Sequence, residues 1–185
     1  MHIALVTDVQ QEALVDLLCE INSYYNPDSP ADRKVVRDHA YKNLFSPASP
    51  HRLVIVSQTD GRVVGLAAIT LMYSLVEPEP ARRSHCHLKE LYVSAPVRSQ
   101  GVGRALMAWV AKFALENGCH RIDWPVKAAN TKGISFYASL GAERVKERLS
   151  FRLTEPSVSR LAAQSGIRQV GLNLSYRDSP TTARN

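Results

Sequence analysis

Apolar positions recur along the chain with two periods, and the alternation between them predicts a layered α/β domain. His2–Val6 is a short apolar strand ending at Thr7-Asp8, either of which can cap a helix. Ala13, Leu14, Leu17, Leu18 and Ile21 then share one face of a helix running to about Tyr24. Proline and turn formers between Asn26 and Pro30 break it, and a second, highly charged helix is predicted from Ala31 to Phe45, with Tyr41, Leu44 and Phe45 packing. Two β-rich runs, Arg52–Ser57 and Arg62–Tyr73, flank Thr59-Asp60-Gly61 and read as a hairpin. A further strand runs from about His85 to Val93, stopped by Pro96. These three strands are expected to lie antiparallel.

From Ala105 the spacing of Leu106, Trp109, Val110, Phe113 and Ala114 predicts a helix closed by Asn117-Gly118. His120–Val126 follows as a strand, so strand, helix and strand suggest a right-handed parallel crossover. Asn130–Leu140 reads as a helix ended by Gly141, Val145–Thr154 as an alternating strand, and Glu155–Gln164 as a short helix. Val170, Leu172 and Leu174 alternate once more before a polar stretch from Ser179 to Asn185, expected to be disordered. The organisation expected is one domain over residues 1–175, with a flexible tail at 176–185.

Composition narrows the class without naming a chemistry. With 45% hydrophobic and 22% charged residues, the chain has the balance of an ordinary globular domain. No apolar run approaches the roughly 18 residues of a membrane-spanning helix, and Asp8 interrupts the apolar start, so a cytoplasmic protein without a membrane partner is expected. Cys19, Cys86 and Cys119 form no C-x-x-C pair. His85 and His87 flank Cys86, but neighbouring strand residues point to opposite faces, so no metal site is expected. The net charge of +6 suits a polyanion. Because the basic residues are scattered, nucleic acid is the less favoured polyanion and a phosphate-bearing cofactor the more favoured.

The stretch from Leu88 to Arg104 carries the chemistry. Its strand enters a basic glycine turn that opens directly into a helix, where backbone N–H groups lack intrahelical partners and the macrodipole favours anions. Gly101 and Gly103 allow close approach of a phosphate, and Arg98 and Arg104 stand at either end of the turn. Neither the Walker spacing nor a third glycine of the dinucleotide fingerprint is present.

The pattern Arg98-x-x-Gly101-x-Gly103, preceded by Glu90-Leu-Tyr-Val93 and followed by Asn130 and Phe136-Tyr137-x-x-x-Gly141-Ala142, resembles the GNAT family of N-acetyltransferases, most closely its diamine and thialysine branch. The resemblance implies a mixed, mostly antiparallel central sheet flanked by helices, with two parallel strands splayed apart. It implies acetyl-CoA as acetyl donor and a primary amine of a small molecule or protein as acceptor, and it leaves a homodimer open. Leu91, Tyr92 and Val93 would then face the pantetheine arm, and Leu91 and Val93 would offer it backbone hydrogen bonds. Arg98, Ser99, Gln100, Gly101, Val102, Gly103 and Arg104 would hold the pyrophosphate, and Asn130 would reach the cofactor arm. The family also implies Tyr137 beside the sulfur as general acid, and a cleft wall made by Tyr24, Tyr25 and the second helix.

The base is left open between two residues. Two consecutive acids expected of polyamine acetyltransferases read Lys89-Glu90 here, so only Glu90 keeps the charge. His87 is the rival, with an unperturbed pKa near neutrality. An odd separation puts the two on opposite strand faces unless a bulge intervenes. Two other readings stay open: a CoA-binding regulatory module without catalysis, and a basic protein associated with nucleic acid.

Overall fold

The computed structural model describes residues 1–164. The stretches at 165–185, including the predicted Val170–Leu174 alternation and the polar tail, lie outside the described residues. Residues Met1–Ala142 form one compact unit, and the chain from Glu143 onward groups separately.

Strand β1 (His2–Leu5) leads through a short 3-10 turn into helix α1 (Gln11–Tyr25). Thr7 begins that turn as predicted, and its backbone N–H donates to the Gln10 side chain at 3.0 Å, one half of a capping box. The second helix is shorter than its pattern suggests. Helix α2 spans Arg33–His39, and Ala40–Leu44 loosens into π-helical hydrogen bonding. Asp32 caps α2 by accepting from Lys34 N–H at 2.7 Å. Arg33 and Arg37 reach back to Glu12 and Asp16 on α1 at 2.7 to 3.1 Å. These pairs are exposed and orient α2 more than they stabilise it.

Strands β2 (Arg52–Ser57), β3 (Val63–Tyr73) and β4 (Ser84–Val93) form the antiparallel centre of a five-stranded sheet ordered β1-β2-β3-β4-β5. Helix α3 (Val102–Glu116) crosses over to β5, which pairs parallel with β4. The expected α/β class and mixed sheet are thus found. β5 is only Ile122–Asp123, shorter than the predicted His120–Val126. Pro125 lacks the N–H that a longer ladder would need.

The two sheet faces have separate cores. Leu14 and Leu17 of α1 pack against Leu53, Ile55, Leu66 and Tyr92 on one face. On the other, Val102, Leu106, Met107 and Val110 of α3 cover Val54, Ala67, Ile69 and Leu88. Helix α4 (Thr131–Ala138) adds Phe136 to this second core. Beyond Ala142, the predicted Val145–Thr154 strand is not formed, and among the described residues only α5 (Ser157–Gln164) is regular there. Alternation specifies a face but supplies no partner, and Leu149 and Phe151 are largely exposed.

Candidate active site

The geometry of β4 decides where the chemistry falls. Leu88 stands opposite Ile69 and Glu90 opposite Ala68, so Lys89 has no partner across the ladder and forms a bulge. The extra residue resets the alternation. Cys86 and Leu88 face α3, as do Leu91 and Val93 beyond the bulge, while His87, Glu90 and Tyr92 share the face toward α1. The bulge therefore overturns the opposite-face expectation of a regular strand.

The same ladder leaves an open edge. Ser94 N–H donates to Val64 C=O at 2.9 Å, so alternate pairs along β3 and β4 turn their backbone groups outward at Leu91 and Val93. β5 pairs only with Cys86 and His87, and the two strands part beyond that point. Leu91 and Val93 thus turn their main-chain groups away from β3, where the Val93 C=O accepts from Arg98 Nε. Tyr92 is not brought to that edge. It is 5% exposed on the α1 face, with its hydroxyl donating to Glu20 Oε1 at 3.0 Å.

The glycine turn leads from this edge into α3. Ser99 and Gly101 both adopt the left-handed region, at φ of 61° and 82°. Glycine takes that conformation without a Cβ penalty and serine does not. The N–H groups of Ser99, Gln100 and Gly101 donate to no backbone carbonyl among the described residues, and the first turn of α3 adds further free donors. At Gly103 a Cβ would come 3.4 Å from the Phe136 ring, so the helix start lies close against α4. Val102 is buried in the core, which leaves its main chain as its polar contribution.

The two arginines are engaged elsewhere. Arg98 Nε donates to Val93 C=O at 2.8 Å, and its guanidinium lies 5.3 Å from the centroids of Tyr24 and Tyr92. Arg104 donates to Ser139 O and Oγ at 3.2 and 3.1 Å. Gln100 Nε2 donates to Pro96 C=O at 3.1 Å. Asn130, expected at the cofactor arm, caps α4 by accepting from Gly133 N–H at 2.9 Å.

At the bulge a group of side chains converges. Tyr25 Oη, at the end of α1, donates to Glu90 Oε1 at 3.0 Å. Lys127 Nζ lies 5.3 Å from the Tyr25 ring centroid. Tyr137 packs against Trp124 at 4.9 Å and Phe136 at 5.2 Å between centroids. Burial raises the Glu90 carboxyl above the usual carboxylate range, although Tyr25, the Leu91 N–H, Lys89 and Lys127 all act the other way. Burial and then the charge of Glu90 raise the Tyr137 phenol, so it keeps its proton at neutral pH. Glu90 and Tyr137 are both half-buried, and burial raises the pKa of both. His87 stands opposite Thr70 on the Glu90 face.

Sequence reasoning missed the role of Glu20. Its carboxylate accepts from Tyr92 Oη, from Ser94 Oγ at 2.7 Å and from Ala95 N–H at 3.1 Å, locking α1 to the end of β4. Those hydrogen bonds, with Arg98 nearby, lower its pKa despite burial. Nothing in the local letters marks it, because its partners lie 72 to 75 residues away.

A mixed five-stranded sheet with helices on both faces and a glycine turn opening α3 is the fold of an acyltransferase class. Residues 12–142 match the sequence model of the Acetyltransferase (GNAT) family, and the chain belongs to that family. Its sequence is 35% identical over 68 residues to an L-ornithine N5-acetyltransferase of Arabidopsis thaliana, covering 37% of this chain and 30% of that protein. It is 33% identical over 81 residues to a thialysine N-epsilon-acetyltransferase of Mus musculus, covering 42% and 48%. The matches therefore span 30% to 48% of the length of these curated relatives. An integron cassette protein of V. cholerae superposes with a TM-score of 0.80 at 27% identity, covering 87% of this chain and 96% of that one. Among the described residues no helix is long and apolar enough to cross a membrane.

Proposed function

We propose that this protein transfers the acetyl group of acetyl-CoA to a primary amine by direct attack, with Glu90 as general base and Tyr137 as general acid. The observation that carries the reading is the placement of these two groups around the outward-facing edge of β4. Leu91 and Val93 would hold the pantetheine arm through their main chains, and the N–H groups from Ser99 to Gly103 would hold the pyrophosphate. That assignment fits a cradle with free N–H donors and no side chain at Gly101 or Gly103. Arg98 and Arg104 would add charge only by exchanging their protein partners for phosphate.

When bound, acetyl-CoA supplies an acetyl thioester, and the residues of this chain manage two protons. Glu90 takes one from the acceptor ammonium and passes it to solvent. The freed amine forms the N–C bond as the C–S bond breaks, Tyr137 O–H delivers a proton to the sulfur, and the second proton that the nitrogen sheds in becoming a neutral amide returns through solvent to the Tyr137 phenolate. Between Glu90 and His87, the Tyr25 hydrogen bond and the raised pKa favour Glu90. The charge around Glu90 favours an acceptor whose remainder is neutral or anionic, because Lys89 and Lys127 both act on it electrostatically. The ornithine and thialysine of the relatives' names are amines that also bear a carboxylate.

Release of CoA thiol, followed with a panel of primary amines, tests the reading. Amine-dependent release is expected, and Tyr137→Phe is expected to lower turnover by about a hundredfold with acetyl-CoA affinity unchanged. Equal turnover in that variant would leave Tyr137 a packing residue.

A further inference from the structure

The end of α1 is held more firmly than a helix terminus needs. Glu20 fastens it to Tyr92, Ser94 and Ala95 through three hydrogen bonds. Tyr24 then sits edge-on against both Tyr92, at 5.7 Å, and Tyr25, at 5.1 Å. Lys127 closes over the Tyr25 ring from the segment between β5 and α4. One tyrosine hydroxyl is thereby delivered to a carboxylate 65 residues distant, at 3.0 Å. A ring that only packed would not need its hydroxyl there, since Tyr25 is 44% exposed and water could satisfy it.

We propose that Tyr25 is the positioning residue of the acetyl-transfer base: its hydroxyl, presented by the anchored end of α1, fixes the Glu90 carboxyl and keeps it ionised to take the acceptor's proton. The inference rests on the reading of Glu90 as base. The groups that face Glu90 are Tyr25 from α1, Tyr137 from α4, Lys127 from the segment after β5, and Lys89 with the Leu91 N–H from its own strand; His87 lies on the same face. Burial raises the pKa of the Glu90 carboxyl, and the Tyr25 hydrogen bond acts against that rise. Too many donors would make it too weak a base to accept a proton. The Tyr25 phenol and the Leu91 N–H favour the carboxylate against burial, and neither contributes a charge that would repel an incoming ammonium. Tyr25 itself stays protonated, because burial and then the charge of Glu90 hold its pKa well above the ordinary phenol range.

The test is Tyr25→Phe, which keeps the ring under Lys127 and removes only the hydroxyl. Two readouts separate the proposal from its premise. NMR of the isotope-labelled Glu90 carboxyl follows its titration directly, whatever its role, and its midpoint is expected to move to higher pH in the variant. The pH dependence of kcat/KM is expected to follow, with a loss of about tenfold on the acid side that narrows at alkaline pH, as for a lost hydrogen bond to a charged group. Acetyl-CoA affinity, measured by calorimetry, is expected to be unchanged and shows that the variant is folded. An unmoved NMR midpoint overturns the role of Tyr25. A moved midpoint with an unmoved kinetic profile overturns Glu90 as base and, with it, the proposal.

Discussion

Two glutamates meet the end of β4 from the same side, and their surroundings give them opposite characters. Glu20 has three hydrogen-bond donors and a pKa below the usual range. Glu90 has one side-chain donor, greater burial, and a pKa above it. Both lie on the α1 face, within a few residues of the same strand end. Donor count, set against burial, thus decides whether a carboxylate's pKa falls or rises. Glu20 fastens the helix that carries Tyr25, and Tyr25 in turn holds Glu90, so the first carboxylate supports the second.

The contrast breaks most visibly at Glu90. Glu90→Gln is expected to lower turnover by about a thousandfold, measured in steady state with acetyl-CoA saturating. It is not expected to destabilise the fold at neutral pH. A carboxyl whose folded pKa is raised binds its proton more tightly in the folded state, so its ionisation costs stability as pH climbs above the unfolded value, and the amide removes that cost. Glu20→Gln should behave the other way, losing about 1 to 3 kcal/mol in urea unfolding at pH 7. A carboxylate with a lowered folded pKa contributes stability that is present above its unfolded pKa and is lost as pH falls through the folded one. The gap between wild type and Glu20→Gln should therefore close in acid.

Two smaller effects sharpen the comparison from outside it. Gly103→Asp adds a negative charge at the start of α3, and calorimetry should show acetyl-CoA affinity falling at least tenfold, about 1.4 kcal/mol. Gly103→Ala should lose less, because its methyl carries no charge and would meet Phe136 at an ordinary contact distance. Acceptor choice should show the mildest effect. Ornithine and putrescine differ by one carboxylate, and ornithine is expected to be the better substrate by a fewfold to about tenfold, with spermidine poor. Efficient spermidine turnover would mean that Lys89 and Lys127 point away from the acceptor's path.

Much of this was legible in the letters because it is local. The α1 stripe, the Asp60-Gly61 turn, the helix opening at the glycine turn and the Gly118 and Gly141 stops each depend on a few adjacent residues. Their observed bounds lie within a few positions of those predicted. The strand predicted over His120–Val126 is an exception, since only Ile122–Asp123 pairs. The errors are errors of partnership. Val145–Thr154 alternates like a strand but finds no ladder among the described residues, and the predicted second helix slackens beyond His39. At the site, the family pattern pointed to Glu90 and Tyr137, whose roles are proposals here. The bulge at Lys89 was not, since it is a mismatch between two strands. The anchoring of Glu20 was hidden because its partners lie 72 to 75 residues away. A side chain's partner across the sheet is chosen by the fold, and neither strand alone encodes it.

The account turns on Glu90 being the group whose ionisation permits transfer. The most direct measurement is kcat/KM against pH for the wild type and Glu90→Gln, using an acceptor whose amine titrates at about pH 10, far from a carboxyl. The wild-type profile should bend to a steeper fall on the acid side as Glu90 takes up its proton. In Glu90→Gln that bend should vanish, leaving a lower profile shaped by the amine alone. The same bend and comparable turnover in the variant would contradict the account and return the role of base to His87 or to water.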